Sequence, residues 1–272
     1  MSGLADNRLV RTFAELRPAG RKALMPFITA GYPDLETTAA LLGDFEARGV
    51  RIVEVGVPFS DPIADGATIQ GSYTEALAAG VDIDGILAMV RSYRAGGGQL
   101  ALASMVSYSI VFKRGPEAFL DAAAEAGFDG LIVPDLPIEE ADEFGSLAER
   151  RGLANILLIA PTTPPERRLE IARRSRGFIY FVSVAGITGE RDGLPESTIA
   201  AVAELRKHTD TPICVGFGIS NPATVAHVCE AADGAIVGSA IIHRITDAKD
   251  AGREKLLAGV GGFLGELLDP VL

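Results

Sequence analysis

Two carboxylates, Glu54 and Asp65, stand within one short stretch, VEVGVPFSDPIADGATIQ at 53–70. Glu54 interrupts the apolar run from Arg51 to Gly56. Asp65 sits in the acidic, turn-rich segment that follows, with Pro58, Asp61, Pro62 and Gly66. A carboxyl group inside an apolar strand loses its hydration, which disfavours the charged form unless a cation or hydrogen-bond donors answer it. None of the strand-like runs carries a Lys or Arg in its interior. An unanswered acid at the end of a strand, opening into a polar loop, is where α/β barrels place groups for proton transfer. The competing reading of Glu54 is a structural acid satisfied by a buried cation. Asp65 by itself is a common turn former, since Asp-Gly is a turn dipeptide. Asp61, in Ser-Asp-Pro, reads as a loop holder that accepts backbone N–H bonds.

A second group of residues suits an anion. AGITGERDG at 185–193, VGFGISNP at 215–222 and IVGSAI at 236–241 are Gly-rich ends of apolar runs late in the chain. Glycine lets backbone N–H groups approach a phosphate, and a helix starting just beyond adds its positive dipole end. Gly218 follows the seventh run, and Gly238-Ser239 follows the eighth, where Ser239 adds a hydroxyl donor. Plain tight turns are the competing reading in a chain with 31 Gly. The sixth run carries Tyr180 on one face and is followed by a long polar segment with Thr188, Gly189, Arg191 and Asp192, a composition suited to a lid. Tyr180, Phe27 and Phe217 lie at strand ends and suit either an aromatic pocket or ordinary core. The three His, at 208, 227 and 243, fall away from strand ends, which argues against a His base or a His-held metal. With no Lys inside a strand, Schiff-base chemistry has no nucleophile.

Such groups need a scaffold, and the scaffold is written in short apolar runs alternating with helix-period stretches. Strands are expected at 24–29, 52–56, 100–105, 130–133, 155–159, 178–182, 212–216 and 235–238, each fenced by Gly, Pro, Asp or Ser. Helices are expected between them, including 34–48, 116–126, 138–151, 165–174, 194–207 and 222–231. Pro116, Pro165 and Pro222 sit at helix starts, where a missing N–H costs nothing. About eight strand–helix alternations with no break in composition give α/β class and a single (β/α)8 barrel over 1–272. A doubly wound open sheet is the rival, weakened because no Gly-x-Gly-x-x-Gly follows the first strand. An extra N-terminal helix at 5–16 is placed to cover the barrel's N-terminal end. A closing helix at 249–268 is expected to be loosened by Gly259, Gly261, Gly262 and Gly265. No linker, internal repeat or low-complexity tract stands out.

Composition narrows the partners. The chain of 272 residues is 48% hydrophobic and 22% charged, enough for a large core. A net charge of −11 and a pI of about 4.8 argue against nucleic acid or an anionic membrane, both of which select a basic patch. Two cysteines, Cys214 and Cys229, provide no disulfide framework or thiolate cluster. With no apolar h-region at the start and no apolar run of about 18 residues, a cytoplasmic location is expected.

The 53–70 stretch closely resembles the signature of tryptophan synthase α-subunits. So do PFITAGYPD at 26–34, VPDLP at 133–137, GITG at 186–189, VGFGIS at 215–220 and GSAI at 238–241. The resemblance runs from Pro26 to about Arg244. It implies a TIM barrel that cleaves indole-3-glycerol phosphate to indole and glyceraldehyde 3-phosphate, with Glu54 and Asp65 as its catalytic carboxylates. It further implies phosphate binding at Gly189, Gly218, Gly238 and Ser239, and an indole pocket at Phe27, Tyr180 and Phe217. Thr188 becomes the lid residue that meets Asp65 on closure. A β-subunit partner in an α2β2 heterotetramer is implied, with pyridoxal phosphate confined to that partner and no cofactor here. Two positions depart from the family. Ala67 replaces a usual Pro, which is expected to loosen the loop behind Asp65. Ser109 replaces a usual Asn in the loop leaving strand 3, which in the family faces the β-subunit.

The implied chemistry is a retro-aldol cleavage. Glu54 would protonate indole C3 and take the C3′ hydroxyl proton, and burial would raise its pKa for that double role. Asp65 would stay ionised, accept the indole N–H and stabilise the cation. A free-standing lyase that releases indole without a partner, a non-catalytic barrel that binds a phosphorylated metabolite, and a phosphate-barrel isomerase stay open beside it.

Overall fold

A computed structural model describes residues 3–62, 65–182, 195–216 and 218–271. Nine parallel strands are found among them: β1 (Ala23–Thr29), β2 (Ile52–Gly56), β3 (Ala101–Met105), β4 (Gly130–Ile132), β5 (Ala154–Ile156), β6 (Leu158–Ile159), β7 (Ile179–Val182), β8 (Ile213–Gly216) and β9 (Gly234–Val237). They pair in the order β5-β4-β3-β2-β1-β9-β8-β7-β6. The two ends of that order, β5 and β6, are one run of chain parted by Leu157 alone. At that residue the N–H donates to the Ser175 hydroxyl (3.1 Å) and the carbonyl accepts from Tyr180 N–H (3.0 Å). The sheet therefore closes on a single strand, giving the eight-stranded barrel expected from the alternation.

Helices fill the crossovers. Pro116–Ala126, Pro165–Arg174 and Pro222–Ala231 begin at the prolines that marked them. Leu35–Ala47 and Ile83–Ala95 are capped by Asp34 and Asp82, whose carboxylates accept from Thr37 and Gly85 N–H. The expected 138–151 helix is shorter, Ala141–Glu149, because its first residues form a turn. Around Ser109 the reading of a loop is corrected. Tyr108–Arg114 is a short helix, with the Ser107 hydroxyl accepting Ser109 N–H at 3.2 Å. Nor do its four glycines break the closing helix, Arg253–Leu268. Its apolar face (Leu256, Val260, Phe263, Leu264, Leu267) is buried, and a Cβ on Gly261 would stand 2.3 Å from Arg48 Nε, so that glycine makes room for a neighbour.

The N-terminal helix, Arg8–Leu16, starts after Asn7, whose side chain accepts Leu9 and Val10 N–H. It seals the barrel floor with Leu9, Phe13 and Leu16 and pins it at two points. Arg8 pairs with Asp129 (3.1 Å), just past its own end Arg17 pairs with Asp233 (3.0 Å), and the two sites are alike. Asp129 also meets Arg94 and accepts Leu102 N–H; Asp233 also meets Arg206 and accepts Ile213 N–H. Each Asp precedes a Gly pressed against a neighbouring strand. A Cβ on Gly130 would lie 3.1 Å from Ala154 O, and one on Gly234 would lie 2.8 Å from Ala23 O. Asp-Gly-x-Ile-Val at 129–133 and 233–237 is thus a short internal repeat, contrary to the expectation of none. Among the described residues no helix is long and apolar enough to cross a membrane.

Candidate active site

Strand parity and register decide which side chains meet inside the barrel. Side chains alternate faces along a strand, and residues paired across a ladder share one. Glu54 pairs with Phe27 on β1 and Ala103 on β3. Phe27 shares its face with Ala23, which pairs with Gly234, then Cys214, then Tyr180. Phe27, Glu54 and Tyr180 therefore point into one interior, while Val53 and Val55 pack outward against helices, as the alternation required.

Glu54 is 2% exposed, and neither carboxylate oxygen has a hydrogen-bond partner. No described Lys or Arg pairs with it, so the buried-cation reading has no support here. Burial, and secondarily the charge of Asp65, push its pKa up to about 8. Asp65 is half-buried, and burial raises its pKa to about 6, so at pH 7 the anion still predominates, by a narrower margin than for an ordinary Asp. The two groups thus hold different protonation states at one pH, the arrangement acid–base chemistry requires.

Asp65 is set by its own loop and the helix beyond, Ala67–Ala78. Its N–H donates to Pro62 O (3.2 Å). The Gln70 amide reaches back to Asp65 O (2.7 Å) and Pro62 O (3.2 Å), tying the two limbs of the loop together. Ala67 occupies the first helical position, where Pro is favoured for its fixed φ. Asp61, expected to hold the loop, accepts no hydrogen bond from a described residue and instead faces an open cleft. That cleft has about 350 Å³ of free space and is lined by Phe59, Asp65, Tyr73, Met105 and Pro134 among others. Across its rim, Asp135 accepts the Ser107 hydroxyl and Tyr108 N–H, each at 2.7 Å.

Two residues of the site went unread in the sequence. A Cβ on Gly56 would stand 2.4 Å from Phe27 Cζ and 2.8 Å from the Tyr73 hydroxyl, so this glycine admits both rings. Tyr73 is 2% exposed and belongs to the buried stripe Ile69, Ser72, Tyr73, Ala76. That spacing was the available sign of a helix face turned inward. Tyr180 is treated alike: a Cβ on Gly216 would lie 2.5 Å from its hydroxyl. Burial, and the charges of Glu54 and Asp65, hold both phenols well above their ordinary pKa, so both remain neutral donors.

The anion-suited elements lie at adjacent strand ends, since β8 and β9 pair through Gly216 and Ile236. Gly218 has φ +75° and opens to free space. Gly238 caps the helix Ser239–Ala248, and Ile241 and Ile242 N–H both donate to Gly238 O. The first N–H groups of that helix, at Ser239 and Ala240, have no acceptor within it, and Ser239 is exposed. Thr188, Gly189 and Phe217 lie outside the described residues.

The sequence model of the tryptophan synthase alpha chain matches residues 13–261. The tryptophan synthase alpha chain of Geotalea daltonii is 47% identical over 237 residues, 87% of this chain and 89% of that protein. That of Chloroflexus aurantiacus is 44% identical over 265 residues, 97% and 98% of the two chains. Tryptophan synthase subunit alpha from Legionella pneumophila str. Paris superposes with a TM-score of 0.89 at 35% identity, covering 98% of this chain and 99% of its own. A chain of Mycobacterium tuberculosis tryptophan synthase in space group F222 gives 0.86 at 35% identity, covering 97% and 98%. Sequence and barrel agree, and the chain belongs to the tryptophan synthase alpha chain family.

Proposed function

We propose that this chain is a carbon–carbon lyase carrying out the α-reaction of tryptophan biosynthesis, the retro-aldol cleavage of indole-3-glycerol phosphate to indole and glyceraldehyde 3-phosphate. The observation that carries the residue assignment is the unpartnered, buried Glu54 carboxyl, protonated up to about pH 8, beside an Asp65 that ionises near 6. Protonated Glu54 delivers its proton to indole C3, which turns the ring into an indolenine cation. The carboxylate left behind takes the C3′ hydroxyl proton, the C3–C3′ bond breaks, and its electron pair restores the indole. Glu54 returns to its acid form, so the cycle balances without an outside acid, metal or organic cofactor. Asp65 accepts the indole N–H, and its charge favours the cation as it develops.

Phe27 and Tyr180 form the walls for the indole, with Phe217 assigned beside them. Gly218, Gly238 and Ser239 hold the phosphate through N–H and hydroxyl donors, Gly189 completing the cradle. Thr188 closes over Asp65. Indole passes to a β-subunit, which holds the pyridoxal phosphate, within an α2β2 assembly. The test is indole release from indole-3-glycerol phosphate by the purified chain, with and without a β-subunit, for wild type and Glu54→Gln. A folded Glu54→Gln chain that matches wild type would overturn the assignment.

A further inference from the structure

The cleft holds one phenol for which the reaction above has no use. Tyr73 rises from the second turn of Ala67–Ala78, the helix that follows Asp65, and lines the cleft together with it. Its helix is fastened to the barrel directly beside it, because Ser72 bonds the Thr29 hydroxyl at the end of β1 (2.6 Å). The tip of Tyr73 fills the slot left by the missing side chain of Gly56, on the interior face of β2 two residues beyond Glu54. At 2% exposure, its hydroxyl makes no hydrogen bond to any described residue. Because Tyr73 lines the cleft, a hydroxyl without an acceptor of its own is available to one that moves within the cleft.

The Asp65 carboxylate, on the same cleft wall, likewise accepts no hydrogen bond from a described residue and pairs with no described cation. Glu54 is another acidic group acting on Tyr73, but at neutral pH it carries its proton, and an O–H bond to an anion is about twice as strong as one to a neutral group. Other polar groups around the pair are Tyr180 from β7, and Asp61 and Asp135 at the rim, none of them cationic. His243, on the helix Ser239–Ala248, meets Thr68 of Ala67–Ala78 in an exposed contact.

We infer that Tyr73 is a positioning residue for Asp65, its hydroxyl donating to the Asp65 carboxylate when the indole ring closes the cleft and expels water. The inference rests on the retro-aldol reading for the part Asp65 plays. A donor on one carboxylate oxygen leaves the other to accept the indole N–H, and it keeps Asp65 anionic where no described cation does so. The Gly56 slot is shared between the Phe27 ring and the Tyr73 hydroxyl, so a purely packing role for that oxygen would leave the titration of Asp65 unmoved on its removal.

The experiment is Tyr73→Phe in the full chain, comparing the pH dependence of kcat, which reports groups in the substrate complex. Loss of a donor to an anion raises its pKa, so the acid limb should move up by about one pH unit and kcat at pH 6 should fall about fivefold, with the alkaline limb unmoved. An acid limb identical to wild type would overturn the role. A second readout does not need turnover. The Asp65 carboxyl, assigned by loss of its signal in Asp65→Asn, is titrated by carbon-13 NMR in complex with indole-3-propanol phosphate, which has no C3′ hydroxyl to cleave. A raised Asp65 pKa in Tyr73→Phe supports the pairing and an unchanged one removes it, whereas a wild-type chain that releases no indole sinks only the retro-aldol reading.

Discussion

Asp65 raises the pKa of Glu54 across a barrel interior in which no described Lys or Arg pairs with either carboxyl. Each acid is already strained by burial, and their mutual repulsion ensures that they ionise in sequence rather than together. The order, Asp65 near 6 and Glu54 near 8, is the pH window that the proposed reaction predicts.

The proposed mechanism requires ionised Asp65 and protonated Glu54. The kcat/KM profile for indole release should therefore be bell-shaped, rising through about pH 6 and falling through about 8. Glu54→Gln should lower the rate by roughly 10²–10⁴-fold across that window. A flat wild-type profile from pH 5 to 9 would contradict the assignment.

Stability should carry the opposite mark of the same group. The folded-state pKa of Glu54, about 8, lies above its ordinary 4.5, so the folded chain holds this proton more tightly than the unfolded chain. That contribution is complete below pH 4.5 and disappears as pH rises through 8. Glu54→Gln removes the penalty of ionisation, so it should be more stable than wild type at pH 9, on the order of 4 kcal/mol, and equal to it near pH 4. Thermal melts of both chains at the two pH values would settle the sign.

Gly238 has φ −103°, and a Cβ there would meet Ile69 and Phe27 at 3.5 and 3.7 Å, ordinary contact distances. Gly238→Ala should fold normally. Gly238→Val adds two methyl groups where the phosphate is assigned and should raise KM by about 10–100-fold, the cost of losing one hydrogen bond to a charged group. An unchanged KM would reduce this turn to a structural one.

Ser109 is exposed on the helix Tyr108–Arg114 rather than in a flexible loop, so its side chain is presented in a fixed direction. If this face meets a β-subunit, Ser109→Asn should tighten binding by about 1 kcal/mol, roughly fivefold in Kd. Titration calorimetry would measure it, while turnover of the isolated chain should stay the same.

Much of this molecule could be read residue by residue. Pro116, Pro165 and Pro222 marked helix starts because a ring-locked φ and a missing N–H are harmless only there. The side of β2 that Glu54 occupies followed from its neighbours Val53 and Val55, because the period of a strand is two. The barrel itself followed from alternation, which forces parallel strands and therefore buries both faces. Local pattern says nothing, however, about which distant surfaces come into contact. Closure of the sheet at Leu157 depends on Tyr180 and Ser175, on later elements. The repeat at Asp129 and Asp233 was too short to stand out until Arg8 and Arg17 were found clamping the two sites from one helix. Likewise Gly56 and Tyr73 looked like an ordinary strand glycine and an ordinary helix aromatic. Their joint meaning exists because a helix packs its tyrosine into the gap one strand leaves open. The pKa values of Glu54 and Asp65 belong to the same category: the sequence supplies two carboxyls, but desolvation and mutual charge arise when the folded barrel excludes water around both.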